Sequence, residues 1–239
     1  MTSLSIIIPA FNEEAALPAT LAAVRTACQS TEHVTAEIVV VDNASSDQTA
    51  TIARLNGARV VEEPVQSIAR ARNRGAAESN GQHLLFLDAD VTIPIGLLAQ
   101  IAQVLENPSC LGGGCEVRYP ANKRSVRLYL WTWRVLGRSI HAVQGAAQFV
   151  RRDIFEVLGG YDETIWMGED VDFSWRLRKL ARTQRKQVVT LREHNVTASP
   201  RRFDQWPLLR TLVYTNPLFV SLSRRRRGVW SGWYLQPPR

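Results

Sequence analysis

The sequence predicts an α/β fold, with a mostly parallel central sheet flanked by helices in a single domain and a basic, aromatic extension at the C-terminal end. Three observations predict it. Short, apolar, aliphatic-rich runs recur through the first half of the chain, helical patterns separate them, and 239 residues at 45% hydrophobic and 21% charged composition suffice for one well-buried core.

The strand-like runs are Leu4–Ile8, Ile38–Val41, Arg59–Glu62 and Leu84–Leu87, each bounded by polar residues. Between them, Glu14–Cys28, Gln48–Leu55 and Ile68–Glu78 carry helical patterns, which gives the alternation that builds a parallel sheet. A further helix is expected at Pro94–Leu105, with proline in its first turn and Asn107-Pro108 as its stop. Beyond it the rhythm loosens. Leu111–Val117 and Gly145–Arg151 read as strands, and Arg124–Leu136 reads as a helix with Leu128, Trp131, Val135 and Leu136 at helical spacing. A helix follows Glu169 to about Ala181, and Val188–Leu191 reads as a strand. No repeat or low-complexity linker calls for a second domain.

The formal charge of +7 and the pI near 9.8 imply an anionic partner, a requirement met equally by nucleic acid, phospholipid and nucleotide phosphates. Position is more informative than the total. Arg201 to Arg239 holds eight arginines against one acid, Asp204, interleaved with Trp206, Tyr214, Phe219, Trp230, Trp233 and Tyr234. Such a mixture suits an anionic membrane surface, although the same leucines could pack on the domain and the arginines remain solvated. Leu208 to Leu222 is broken by Arg210, Asn216 and Pro217 and falls short of the roughly 20 apolar residues of a membrane span. Cys28, Cys110 and Cys115 show no metal or disulfide spacing, and the N-terminus runs into a strand without the pattern of a secretory leader. The expected location is cytoplasmic, peripheral at the inner membrane face.

The most informative chemistry is Leu84-Leu85-Phe86-Leu87-Asp88-Ala89-Asp90, an apolar strand that ends in two acids one residue apart. Extended backbone would point Asp88 and Asp90 the same way, at the sheet edge where α/β proteins bind ligands. Paired carboxylates there suit Mg2+ or Mn2+, which take oxygen ligands and share them with substrate phosphates; the alternative is that both acids only terminate the strand. Asp42 ends its strand in the same manner, and Pro9, Asn12 and Glu13 follow the first. No G-x-G-x-x-G or Walker sequence is present, which argues against dehydrogenase and P-loop chemistry.

Taken in order, PAFNEE, VDNASSDQT, ARARNRGAA, FLDAD and GEDVDFSWRL resemble the family 2 glycosyltransferases of GT-A fold over residues 4 to about 180. The resemblance implies a Rossmann-like sheet in a domain of residues 1–202, with a nucleotide-sugar half of about 1–108, an acceptor half of about 109–202 and an extension of 203–239. It implies a nucleoside pocket at Pro9, Asn12, Glu13 and Asp42. Arg72 and Asn73 would lie near the donor phosphates, Asp88 and Ala89 against the donor, and Asp88 and Asp90 on a Mn2+ or Mg2+ ion. Asp170 would be the general base of an inverting transfer from a nucleotide-diphosphate sugar to an acceptor that is lipid-linked, a saccharide or a small molecule. His194, after the strand-like Val188–Leu191, would be either a third metal ligand or a surface histidine. Arg201 and Arg202 would close over phosphates or form a solvated edge. Nucleic acid is not among the expected partners. The competing reading is a catalytically inactive nucleotide-sugar or polyanion-binding module of the same fold. A nucleotidyltransferase is a second rival, without its usual glycine-rich basic opening.

Overall fold

The computed structural model describes residues 2–139 and 145–230. One eight-stranded sheet has the order β3-β2-β1-β4-β7-β6-β8-β5. One half of it is built from β1 (Thr2–Ala10), β2 (Val34–Asp42), β3 (Arg59–Glu62) and β4 (His83–Leu87), all parallel. β7 (Ala147–Arg151) runs antiparallel between β4 and β6 (Cys110–Arg118), and β8 (Gln187–Ala198) lies parallel to β6. A two-residue strand, β5 (Val91–Thr92), closes the far edge against β8.

Within β1 and β4, residues Ile6 to Ile8 and Leu84 to Leu87 are continuous apolar runs because both faces of the sheet are covered there. Ile6, Ile8, Leu85 and Leu87 face one layer, packed with Leu17, Leu21 and Val24 of α1 (Leu17–Gln29) and with Leu97 and Ile101 of α4 (Leu97–Glu106). Ile7, Leu84 and Phe86 face the other, packed with α3 (Ile68–Ala77), α6 (Arg152–Val157) and α7 (Glu169–Thr183) through Ala71, Phe155 and Phe173. The period of two in these runs decides which helix each residue meets. Gly75 lets α3 lie close on β1, since a Cβ there would sit 2.4 Å from a methyl of Ile7. The smaller α2 (Thr49–Leu55) links β2 to β3, and α5 (Arg124–Ser139) links β6 to β7.

Several boundaries differ from the sequence expectation. α1 starts at Leu17 rather than Glu14, where Pro18 fits a first turn. The strand expected from Gly145 starts at Ala147, with residues 145–146 in a turn. β8 continues well past Leu191, so His194 sits inside a strand rather than after one. The extended backbone expected at Asp88 to Asp90 is corrected: β4 ends at Leu87 and the Val91 amide returns to the Asp88 carbonyl, closing a turn. After β8 the chain forms α8 (Arg201–Gln205), α9 (Leu208–Tyr214) and α10 (Pro217–Ser223), where Asn216 caps α10 and so divides the apolar stretch from Leu208 to Leu222. No helix among the described residues is long and apolar enough to cross a membrane. Val135 and Leu136 have side chains outside the described set, and Trp233 and Tyr234 lie outside the described residues.

Candidate active site

The C-terminal ends of β1 and β4, the turn before β7 and the N-terminus of α7 surround a cavity of about 430 Å3. That size is within the range of small-molecule sites, roughly 300–1,000 Å3. Pro9, Glu13, Arg72, Asp88, Ala89, Asp90 and Asp170, all singled out in the sequence, line it. Asn12, Asp42 and Asn73 stand behind the lining and shape its loops. Asn12 Oδ1 accepts from the Ser46 amide at 2.8 Å, and Asp42 Oδ1 accepts from the Ser45 amide at 3.1 Å. Asn73 Nδ2 donates to the Tyr161 carbonyl at 2.9 Å, and its Oδ1 accepts from the Tyr161 amide at 2.9 Å, which holds the loop leading into α7.

Arg72 is the organising cation. Its buried guanidinium donates to Glu169 at 2.7 Å through Nη1 and to Asp88 at 2.9 Å through Nη2, and it stacks on the Tyr161 ring at 5.2 Å. Burial opposes that charge, but Glu169, Asp88 and Asp170 around it outweigh burial and hold the proton more firmly. The pair is asymmetric: burial pushes Glu169 up to about 7 although Arg72 pulls it down. At 2.7 Å the guanidinium and the carboxylate form a charge-assisted ion pair.

Asp170 opens α7, where the aligned amides favour an anion. Its affinity for a proton is nevertheless raised, first by burial and further by Asp88, with Arg72 opposing. Gly145 permits its position, because a Cβ at residue 145 would lie 2.0 Å from a carboxylate oxygen of Asp170. Gln148 completes the support: its Nε2 donates to the Asp170 carbonyl at 3.1 Å and its Oε1 accepts from the Tyr161 hydroxyl at 2.9 Å.

On the opposite wall, Arg201 pairs with Glu13 and lies 3.5 Å from Asp90 Oδ2. Asp90 is pushed up to about 6 by burial and by the carboxylates of Asp88 and Glu13. Glu13, Asp88, Asp90, Glu169 and Asp170 thus face the three guanidiniums of Arg72, Arg201 and Arg202, a formal excess of two negative charges. Hard oxygen donors with that excess fit a divalent cation that completes its shell from donor phosphates. Among the described residues, no group of three or more His, Cys, Asp and Glu side chains is arranged to hold a metal ion alone. His194 is outside the lining; its Nδ1 lies 3.1 Å from Gln100 Oε1 and its Nε2 lies against Gly96.

Sequence reasoning did not find Asn43, Tyr119, Phe203, Tyr214, Thr215 or Val220 as cavity residues. Asn43 left a usable signal, since a buried asparagine after a strand must satisfy its amide, and it does so by binding the Glu63 and Val65 carbonyls. The others carry no local motif.

Comparison with known proteins identifies the family and the fold. The Glycosyl transferase family 2 model matches residues 5–159. An uncharacterized glycosyltransferase of Mycobacterium tuberculosis is 30% identical over 131 residues, 55% of this chain and 53% of the relative, so the chain spans about half that relative's length. The mannosyltransferase PcManGT from Pyrobaculum calidifontis, solved with GDP-Man and Mn2+, gives a TM-score of 0.63 at 22% identity, covering 81% of this chain and 56% of that one. Glucosyl-3-phosphoglycerate synthase from Mycobacterium tuberculosis, solved with Mn2+, UDP and glucosyl-3-phosphoglycerate, gives 0.61 at 20% identity, covering 94% and 80%. With the family model matching most of its length and its sheet shared with these structures, the chain has the GT-A fold and belongs to glycosyl transferase family 2.

Proposed function

We propose that this chain moves a glycosyl group from a nucleoside diphosphate sugar to an acceptor hydroxyl, with inversion at the anomeric carbon and with Mn2+ or Mg2+ held by Asp88 and Asp90. The observation that carries this reading is that Asp88, Asp90 and Asp170 line one cavity at the ends of parallel strands. The two solved neighbours are complexes with Mn2+ and with GDP-Man or UDP, which supports the donor class and leaves the base open. A bound cation would supply Lewis-acid neutralisation of the departing diphosphate.

The rest of the chemistry falls to the chain's own side chains. Pro9, Asn12, Glu13, Asp42 and Ala89 shape the nucleoside side, and Arg72 with Asn73 fixes the acids and loop next to the diphosphate. The acceptor oxygen attacks the anomeric carbon, the bond to the diphosphate breaks with its electron pair leaving on the nucleotide, and the acceptor's proton passes to the Asp170 carboxylate. No covalent nucleophile is needed. In this reading residues 1–202 form the catalytic domain, divided near residue 108 into donor and acceptor halves, and the extension from 203 contributes to the acceptor wall.

The test is release of nucleoside diphosphate from a panel of UDP- and GDP-sugars with Mn2+. Asp170→Asn is expected to lose on the order of 10²–10⁴ in transfer rate while keeping donor-induced stabilisation. Turnover at wild-type level in Asp170→Asn or Asp90→Asn would contradict the assignment.

A further inference from the structure

The three helices after β8 bury one side and leave the other bare. Thr211 and Trp230 are fully buried, the Trp230 ring meets Tyr214 and Phe219 at 5.5 and 5.8 Å, and its Nε1 donates to the Ser223 carbonyl at 3.0 Å. Thr215 is hydrogen-bonded to Tyr129, which joins α9 to α5. Against this packing, Leu209 and Leu212 of α9, Leu218 and Leu222 of α10, and Leu128 and Trp131 of α5 remain exposed, with Leu218 and Leu222 at 74% and 81%. Seven of the thirteen exposed large hydrophobic residues described lie on α5, α9 and α10, a concentration unlike the scattered singles of an ordinary surface.

The charge around this apolar face has one sign. Residues 201–230 carry seven arginines and one acid, a formal +6 out of the chain's +7. α5 adds Arg124 and Arg127, with no acid in its sequence. Arg224 and Arg225 pair with Asp172 and Asp162, while Arg226 and Arg227 are exposed beyond them. A nucleic acid would use the arginines and leave the leucines wet, whereas a bilayer interface accommodates both. The helices are too short to cross it.

We propose that α5, α9 and α10 dock this face on an anionic lipid bilayer, with the leucines and Trp131 at the boundary of headgroups and acyl chains and the arginines on lipid phosphates. Tyr214, Thr215 and Val220, from the same segment, line the cavity, so docking sets the cavity beside the lipid surface. Resting on the glycosyl-transfer reading, the acceptor class then becomes a hydroxyl on a lipid-anchored molecule.

The experiment is flotation of the full chain with vesicles of phosphatidylcholine alone and of phosphatidylcholine mixed with phosphatidylglycerol, at low and high salt. Co-flotation is expected with the anionic vesicles, less at high salt, and little with the neutral ones. The double variant Leu218→Asp, Leu222→Asp is expected to partition at least about tenfold less with its melting temperature unchanged. Absence of flotation with anionic vesicles overturns the proposal, and so does undiminished flotation of the double variant, which would mark a purely ionic contact. If that variant melts early, quenching of tryptophan fluorescence by brominated lipid in the unaltered chain decides, and bound protein without quenching overturns the docking geometry. Neither readout needs turnover, so failure here and failure of the glycosyl-transfer reading are separable.

Discussion

As the proposed base, Asp170 must ionise in surroundings that favour its protonated form. Burial raises its proton affinity, while the α7 amides and Arg72 hold the anion in reach. A base works only when ionised, so the transfer rate should fall as pH drops through its raised value. The acid limb of kcat against pH is therefore expected above the ordinary carboxylate value of about 4, and it belongs jointly to Asp170 and Glu169, which burial also pushes up, to about 7. A rate profile flat down to the range of exposed carboxylates would remove Asp170 from the role. Gly145→Ala tests position rather than protonation. The added methyl overlaps the Asp170 carboxylate and must displace it, and a shift of that kind is expected to lower kcat on the order of 10²-fold with little change in donor affinity. An unchanged kcat would show that the carboxylate is not held where the geometry implies.

At the scale of elements, Arg72 ties α3 to the end of β4 and the start of α7, and α7 carries Asp170, the proposed base. Arg72→Ala would leave Glu169 buried, 5% exposed, without its cation, which is expected to cost about 3–5 kcal/mol in denaturant unfolding. Arg72→Met with Glu169→Gln should recover most of that loss, and failure to recover would mean that the site tolerates an unpaired carboxyl. This tie also marks the limit of what could be read from the sequence. The partner of Arg72 is 97 positions away, so the family resemblance suggested a phosphate contact and nothing local gave a hint of Glu169. β1, β2 and β4 were legible because covering both faces leaves an unbroken aliphatic run. β5, two residues long, is defined only by its pairing with β8, and the packing of α8 to α10 depends on Trp206 and Trp230 meeting rings elsewhere in the tail. The turn at Asp88 to Asp90 escaped detection for a related reason. Its sequence fits either extended or turned backbone, and the Val91 amide, bonded to the Asp88 carbonyl, decides between them.

For the molecule as a whole, charge is distributed unevenly, and under the proposed function this couples cation binding to nucleotide binding. A chain of net +7 carries a formal excess of two negative charges around the candidate site, and a diphosphate brought there alone would meet Glu13, Asp88 and Asp90. Repulsion at a few ångströms within a partly buried site is worth several kcal/mol at an effective dielectric near 20, of order 4 kcal/mol per close pair. Arg72 and Arg201 relieve only part of it, because each is already engaged by these acids. A divalent cation on Asp88 and Asp90 would cancel that formal excess at the place the diphosphate enters, so cation and nucleotide should bind with strong mutual dependence. UDP or GDP with Mn2+ is accordingly expected to raise the melting temperature by about 5–10 °C when present at about 100 times Kd, from about 2.7 kcal/mol of linkage. The same nucleotide with a chelator should give little of that shift. Asp90→Asn should weaken the dependence on Mn2+, because it removes both a ligand and one of the repelling charges. A full shift in chelator would mean that arginines alone carry the diphosphate, and the two aspartates would then need another explanation.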